Sequence, residues 1–202
     1  MSPQEFGALL TLATAMSFTP GPNTTLSTAL AANFGLKRAL PFCLAVPAGW
    51  TLLMLVCGIG FGSLVLAVPG MRLGIKAVGV AYLLWLAWKL ANTRTLGAAG
   101  APLQVSFTQG VALQFVNIKA WMLALTLTAG WVAVAGADAG QSSERLVIVV
   151  GVMLVYAFAS NLTYAVAGAL LRQWLSRGAR LLWFNRALAL LLVLTAAWMV
   201  TV

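Results

Sequence analysis

Apolar residues run along this chain in six long stretches separated by short polar ones. The stretches cover residues 6–34, 40–68, 74–90, 110–134, 146–171 and 181–202. A helix crosses the hydrocarbon core of a bilayer with about 20 residues, within a range of roughly 17–25. The joining segments are 35–39, 69–73, 91–108, 135–145 and 172–180. The third is the longest, is rich in Gly, Ala and Thr, and marks the midpoint of the chain. The pattern predicts an all-α, polytopic membrane protein with six transmembrane helices in a single membrane domain over residues 1–202. One three-helix half occupies 1–100 and the other 101–202. With three spans per half, a repeated half must be inverted in the membrane, so two inverted three-helix repeats are expected.

Composition strengthens this reading. Hydrophobic residues make up 62% of the chain and charged residues 7%, against about 45–50% and about 25% in soluble domains. So few charges cannot cover a water-exposed surface of this size. Soluble globular folds, disordered chains and disulfide scaffolds are thereby excluded. Cys43 and Cys57 lie in one stretch, about 21 Å apart along a helix. That is too far for a bridge, and both read as small buried hydrophobes. The first ten residues carry Glu5 and no Lys or Arg, so the first helix is expected to be retained rather than cleaved as a leader.

Charge changes the picture by giving it sides. Six spans divide the polar segments between two faces. One face holds both termini and the second and fourth joining segments, with Arg72, Lys76, Arg145 and all three acids, Glu5, Asp138 and Glu144. The other holds Lys37, Arg38, Lys89, Arg94, Arg172, Arg177, Arg180 and Arg186. The richer basic face is cytoplasmic by the positive-inside rule, which predicts both termini outside. The net charge of +9 is therefore membrane topology and no sign of nucleic acid. Trp88, Trp174 and Trp183 fall near the basic face and Trp131 and Trp198 near the other, as interfacial Trp do. Trp50, Trp85 and Trp121 lie deeper and read as packing.

Polar interruptions inside the stretches carry the candidate chemistry. Thr19, Pro20, Gly21, Pro22 and Asn23 break the first stretch. Two prolines remove donors and block the preceding turn, and Gly21 permits unusual dihedrals. Lipid cannot satisfy the freed backbone groups, so they face inward. Asn23 is the expected cap of the half-helix that follows, whose positive end suits a carboxylate. Gln114, Asn117 and Lys119 lie in the fourth stretch, at the corresponding place in the second half. Paired interruptions in two halves point to a transport site. Lys119 is the one charge deep inside a stretch, where a lysine costs about 2.5–3.5 kcal/mol on insertion scales. About 15 Å of helix rise separates it from the end of its stretch, which opposes snorkelling. Asn161 with Thr163 forms a further buried polar point, for which interhelical hydrogen bonding is the default. Gly58, Gly60, Gly62, Gly74 and Gly79 read as close-packing positions.

Absences narrow the function. The chain has no His and no acid within a stretch, which argues against transition-metal and calcium sites. No nucleophile–base–orienter set can be assembled apart from a Ser–Lys pair, so no enzyme is expected. No phosphate loop is present, and no cofactor is implied.

Three motifs together resemble a known family. Ser17-Phe18-Thr19-Pro20-Gly21-Pro22-Asn23 resembles the Pro-Gly-Pro-Asn signature in the first helix of the lysine exporter (LysE/RhtB) family. Phe115-Val116-Asn117-Ile118-Lys119-Ala120-Trp121 resembles its Asn-Pro-Lys-Ala signature, and the run from Gly79 through Tyr82-Leu83 to Trp88 resembles its Gly-x-x-Tyr-Leu run. The resemblance spans essentially the whole chain. It implies a secondary transporter that exports amino acids or close derivatives from the bacterial cytoplasm across the inner membrane, driven by the proton gradient. Ile118 stands where the family has Pro. Either the backbone opens there without proline, or the second half holds an unbroken helix. The expected substrate-binding residues are Thr19, Pro20, Gly21, Pro22, Asn23, Gln114, Asn117, Lys119 and Asn161, with Trp121 or Tyr82 stacking on the cargo. Lys119 is the candidate for carrying a proton. The expected partners are an amino acid, protons and the lipid bilayer, with a homo-oligomer left open. The alternatives are a non-transporting membrane assembly subunit and an exporter of another small solute or ion.

Overall fold

The computed structural model describes residues 1–60, 62, 65, 67–97, 103, 105–134, 136 and 138–201. The boundary between the proposed halves at residues 100 and 101, the start of the fourth joining segment at Ala135 and the end of the sixth stretch at Val202 lie outside the described residues. Among those described, all regular structure is helical. The helices are α1 (Pro3–Phe18), α2 (Pro22–Phe34), α3 (Leu36–Gly58), α4 (Pro69–Ala91), α5 (Phe107–Val116), α6 (Ile118–Leu127), α7 (Ala139–Leu175) and α8 (Arg180–Thr201). A π-helical turn, Thr128–Val132, extends α6.

Four described helices, α3, α4, α7 and α8, are long and apolar enough to cross a membrane, and the bent pair α5–α6 makes a fifth when taken as one span. The first stretch divides into α1 and α2, of 16 and 13 residues, each too short to span alone.

Local signals set the ends. The Ser2 hydroxyl accepts from the Glu5 amide while the Glu5 carboxylate accepts from the Ser2 amide, a capping box that starts α1. Ser106 and Gln109 repeat it at α5. Asp138 accepts from the Gln141 amide at 2.8 Å, so α7 begins at Ala139 and residues 139–145, expected as loop, are helical. At 37 residues, α7 is about 55 Å long and outruns a core of roughly 30 Å. The helix of the second stretch stops at Gly58, before Gly60 turns the chain at a φ of +91°, ten residues earlier than its apolar run suggests.

Contacts sort the chain ends as the charge count does. Arg145 bonds Glu5 at 3.2 Å, and the Trp131 indole donates to the Glu5 carbonyl at 2.9 Å. The Lys76 ammonium reaches the Val200 carbonyl at 3.4 Å. At the opposite end the Gly97 amide donates to the Asn33 carbonyl and Asn185 to the Thr93 carbonyl. Trp174 and Trp183 lie there under Arg180 and Arg186. Trp85, expected deep, sits on an outer face 38% exposed, with the Lys89 ammonium 3.8 Å from its ring centroid.

Helix α2 runs through the middle of the bundle. Ten of its 13 residues are buried, and it packs chiefly against α7, with α3 and α8 beside it. Gly168 of α7 lies against the Thr28 carbonyl of α2, where any Cβ would collide. Gly79 likewise faces the Val116 carbonyl at the end of α5, and Gly49 and Gly110 let α3 and α5 cross closely. Gly74 has nothing within 4 Å of a built Cβ, so the close-packing role expected of it falls to Gly49, Gly110 and Gly168.

Candidate functional site

The α1–α2 break and the α5–α6 break meet at one place. Gly21 precedes α2 with φ −166° and ψ −173°, an extended backbone open to any residue. A Cβ there would make ordinary contact with the Lys119 side chain, 3.5 Å from its ammonium nitrogen, so neither dihedral nor space demands glycine. The first turn of α2 is closed by Thr24, whose hydroxyl accepts from the Gly21 amide at 3.0 Å. This corrects the expectation for Asn23. Its side chain does not cap α2 but forms a reciprocal amide pair with Gln114, at 2.9 and 3.1 Å. Gln114 is fully buried, and in hydrocarbon each of these groups needs a partner.

The second break forms without proline. Asn117 leaves the helix at φ −91° and ψ 101°, and its side chain accepts from the Lys119 amide at 3.1 Å. One residue thus ends α5 and caps α6, and the two segments bend by 68°. Ile118 takes the first helical position of α6 and Lys119 the second, matching Pro22 and Asn23 in α2.

Lys119 crosses to the other break. Its ammonium donates to the Thr19 carbonyl at 3.1 Å, which the chain break leaves outside α1. The two interruptions are therefore joined by two polar contacts, Lys119–Thr19 and Gln114–Asn23.

A cavity of about 70 Å³ opens between them. From the first break it is lined by Ser17, Thr19, Gly21, Pro22, Asn23 and Thr24, and from the second by Asn117, Lys119 and Ala120. Both α2 and α6 present their N-terminal turns to it, and such turns hold free amides and a positive dipole end. Asn161 and Ser160 of α7 and Trp50 of α3 complete the polar lining. Asn161 is held by Ser27, which donates to its side-chain oxygen at 2.8 Å, and it donates to the Ala157 carbonyl. Pro20 borders a second, larger cavity of about 410 Å³, walled by Leu191, Leu194, Thr195 and Trp198 of α8. Thr19, Gly21 and Lys119 border both, so the Lys119–Thr19 contact forms part of the partition.

Besides Pro20, four residues that the sequence singles out lie away from the cavity lining. Gln114 acts through Asn23. The Trp121 indole donates to the Phe115 carbonyl at 2.8 Å, and its ring lines a separate cavity with Ile118, Met122 and Leu125. Tyr82 stacks on Trp85 with ring centroids 5.5 Å apart. Thr163 is exposed and bonds back to the Ala159 carbonyl. The sequence reading missed Trp50, Ser160 and Ser27. It also missed a second reciprocal amide pair, Asn33–Asn185 at 2.9 and 3.0 Å, which ties the far end of α2 to α8. Two Asn within apolar stretches were the available signal for that pair.

Apolar helices with two broken members meeting at a cavity lined in part by polar groups are the mark of a membrane transport protein of the discontinuous-helix kind. The chain belongs to the LysE type translocator family, which it matches over residues 14–201. It is 32% identical over 200 residues to cysteine/O-acetylserine efflux proteins of Salmonella choleraesuis (strain SC-B67) and of Escherichia coli (strain K12), covering 97% of this chain and 97% of each relative. A Klebsiella pneumoniae protein of the same description is 31% identical over 189 residues, 93% of this chain and 94% of that one. No solved structure matches.

Proposed function

We propose that this protein is a secondary exporter of small amino acids or their close derivatives. It moves them out of the cytoplasm across the bacterial inner membrane, and the proton gradient drives it. Its six spans form two inverted triplets over 1–100 and 101–202, with both termini outside. The observation that carries the proposal is the meeting of the two helix breaks around one donor-rich cavity containing Lys119.

The chemistry of that cavity suits a zwitterion. The α2 and α6 N-termini and the Lys119 ammonium favour a carboxylate. The Thr19 carbonyl, now occupied by Lys119, is the acceptor for an incoming ammonium. In this reading Lys119 leaves Thr19 for the cargo carboxylate, and the cargo ammonium takes its place. A water-sized group needs about 10–15 Å³ of such space, so 70 Å³ holds roughly five or six, the size of an amino-acid head group. The relatives' description as cysteine/O-acetylserine efflux proteins supports a short cargo side chain. Lys119 is also the proton carrier in this scheme, since no acid lies within the stretches.

The test is export from vesicles containing the purified protein, loaded with labelled cysteine, O-acetylserine and a panel of other amino acids, under an imposed pH gradient. Wild type exports small cargoes, and Lys119→Met abolishes the gradient-driven component. Full proton-coupled export by Lys119→Met refutes the role of Lys119, and no export of any amino acid by wild type refutes the function.

A further inference from the structure

Four buried side-chain polar groups among the described residues have no hydrogen-bond partner: the Trp50 indole N–H, the Thr51 hydroxyl, the Tyr82 hydroxyl and the Arg172 Nε. Of these residues, Trp50 alone lines the cavity between the helix breaks. It is 4% exposed. An indole N–H is a donor and nothing else, and leaving one unpaired in a dry interior is costly. The other deep tryptophan shows the contrast: Trp121 spends its N–H on the Phe115 carbonyl. The ring of Trp50 is fully used in packing, against a cluster that includes Leu53, Met54, Leu123 and Met153. Its N–H is therefore the part of the side chain that packing does not explain.

We propose that Trp50 is a substrate-binding residue whose indole N–H donates to the cargo carboxylate. The inference rests on the export reading above and adds to it a donor from α3. Several other polar groups around the cavity are already engaged. Asn161 is engaged by Ser27 and Ala157, Asn23 by Gln114, and the Ser160 hydroxyl by the Ala157 carbonyl. Lys119, bonded to Thr19 at one side of the cavity, is released by the incoming ammonium and meets one carboxylate oxygen. Trp50 serves the second. Two donors from different helices then orient the carboxylate and leave the ammonium facing the carbonyls of the first break. Because every amino-acid cargo carries this carboxylate, Trp50 recognises the class and does not discriminate among side chains.

The experiment is vesicle export of labelled cysteine and O-acetylserine by wild type, by Trp50→Phe, and by protein with Trp50 replaced by benzothienylalanine, which puts sulfur in place of the N–H and keeps the ring shape. The lost donor is expected to raise KM by about tenfold to a hundredfold for both cargoes alike, with kcat changed much less, the range expected for one hydrogen bond to a charged group. A purely structural Trp50 predicts loss of folded protein with Phe and wild-type KM with the isosteric analogue. Unchanged KM in the analogue overturns the proposal, even where Trp50→Phe fails to accumulate. A rise confined to O-acetylserine also overturns it, since the donor then reads the ester. Absence of export by wild type instead strikes the export reading itself.

Discussion

Replacing Gly49 by alanine tests the bundle at one of its close helix crossings. The new Cβ would stand 2.7 Å from the Val111 carbonyl oxygen, 2.8 Å from the Val111 Cα and 2.9 Å from the Gln114 Cγ. Ordinary contact begins at 3.4 Å, a shortfall of about 0.7 Å. Two of the three obstructing atoms are helix backbone, which cannot rotate away. The third belongs to the side chain that holds Asn23. Overpacking of this kind costs about 1–3 kcal/mol, while the helix preference of Ala over Gly returns about 0.5–1 kcal/mol. Gly74→Ala is the matched control. It adds the same methyl group to a helix with nothing within 4 Å, so only the favourable term operates. In detergent, the thermal unfolding midpoint should fall for Gly49→Ala and rise by a few degrees for Gly74→Ala, at roughly 2–4 °C per kcal/mol. Export should fall in the first because Gln114 is displaced from Asn23. Equal midpoints for the two variants, or a stabilised Gly49→Ala, refute the reasoning.

Three further outcomes are expected. A double-mutant cycle on Asn23→Leu and Gln114→Met should return a coupling near the membrane-protein average of about 0.6 kcal/mol and up to about 1.7 kcal/mol, whereas strictly additive losses in unfolding free energy contradict the reciprocal pair. Asn117→Ala should cost about 1 kcal/mol and relax the 68° bend. Spin labels at the exposed Phe107 and Met122 should then report a longer distance, and an unchanged one means that Asn117 does not hold the break. Outside the spans, the Ser2 backbone first and Arg145 second hold the Glu5 carboxyl below its ordinary 4.5. A lowered folded pKa gives stability that is present above about pH 4.5 and is lost as pH falls through the folded value. The unfolding midpoint of wild type should decline on the acid side, and Glu5→Gln should remove part of that decline. The same decline in both proteins rules out the Glu5 contribution.

Much of this architecture is legible in the sequence because a bilayer imposes its demands residue by residue. Apolar stretches mark the helices, and the division of basic residues matches the contacts at the two ends, Arg145 with Glu5 and Asn185 with Thr93. The Pro20–Pro22 break is announced by its own residues. Helix ends are read less well. The apolar run 40–68 continues past the point where Gly60 turns the chain, and the polar residues 139–145 join α7 because Asp138 caps it. Hydropathy is blind to both devices. At the site, the sequence singles out Thr19 to Asn23, Asn117 and Lys119, whose two helix breaks the fold brings together, and it gives Asn23 the wrong role. Asn23 pairs with Gln114 in place of capping α2, and Lys119 rests on Thr19.

From the sequence alone come the class of protein, the first helix break and the singular position of Lys119, since insertion into lipid penalises charge and unpaired backbone wherever they fall. Tertiary structure decided the rest. It showed that Asn117 opens the fourth stretch without proline, that Gly49 and not Gly74 sits at a close crossing, and that the Trp50 indole is left without a partner. The two contacts that join the helix breaks link groups far apart in the chain, 100 residues for Lys119 and Thr19 and 91 for Asn23 and Gln114. Helical periodicity carries no information about pairings at such separations; they are set by which faces the packed helices present to one another.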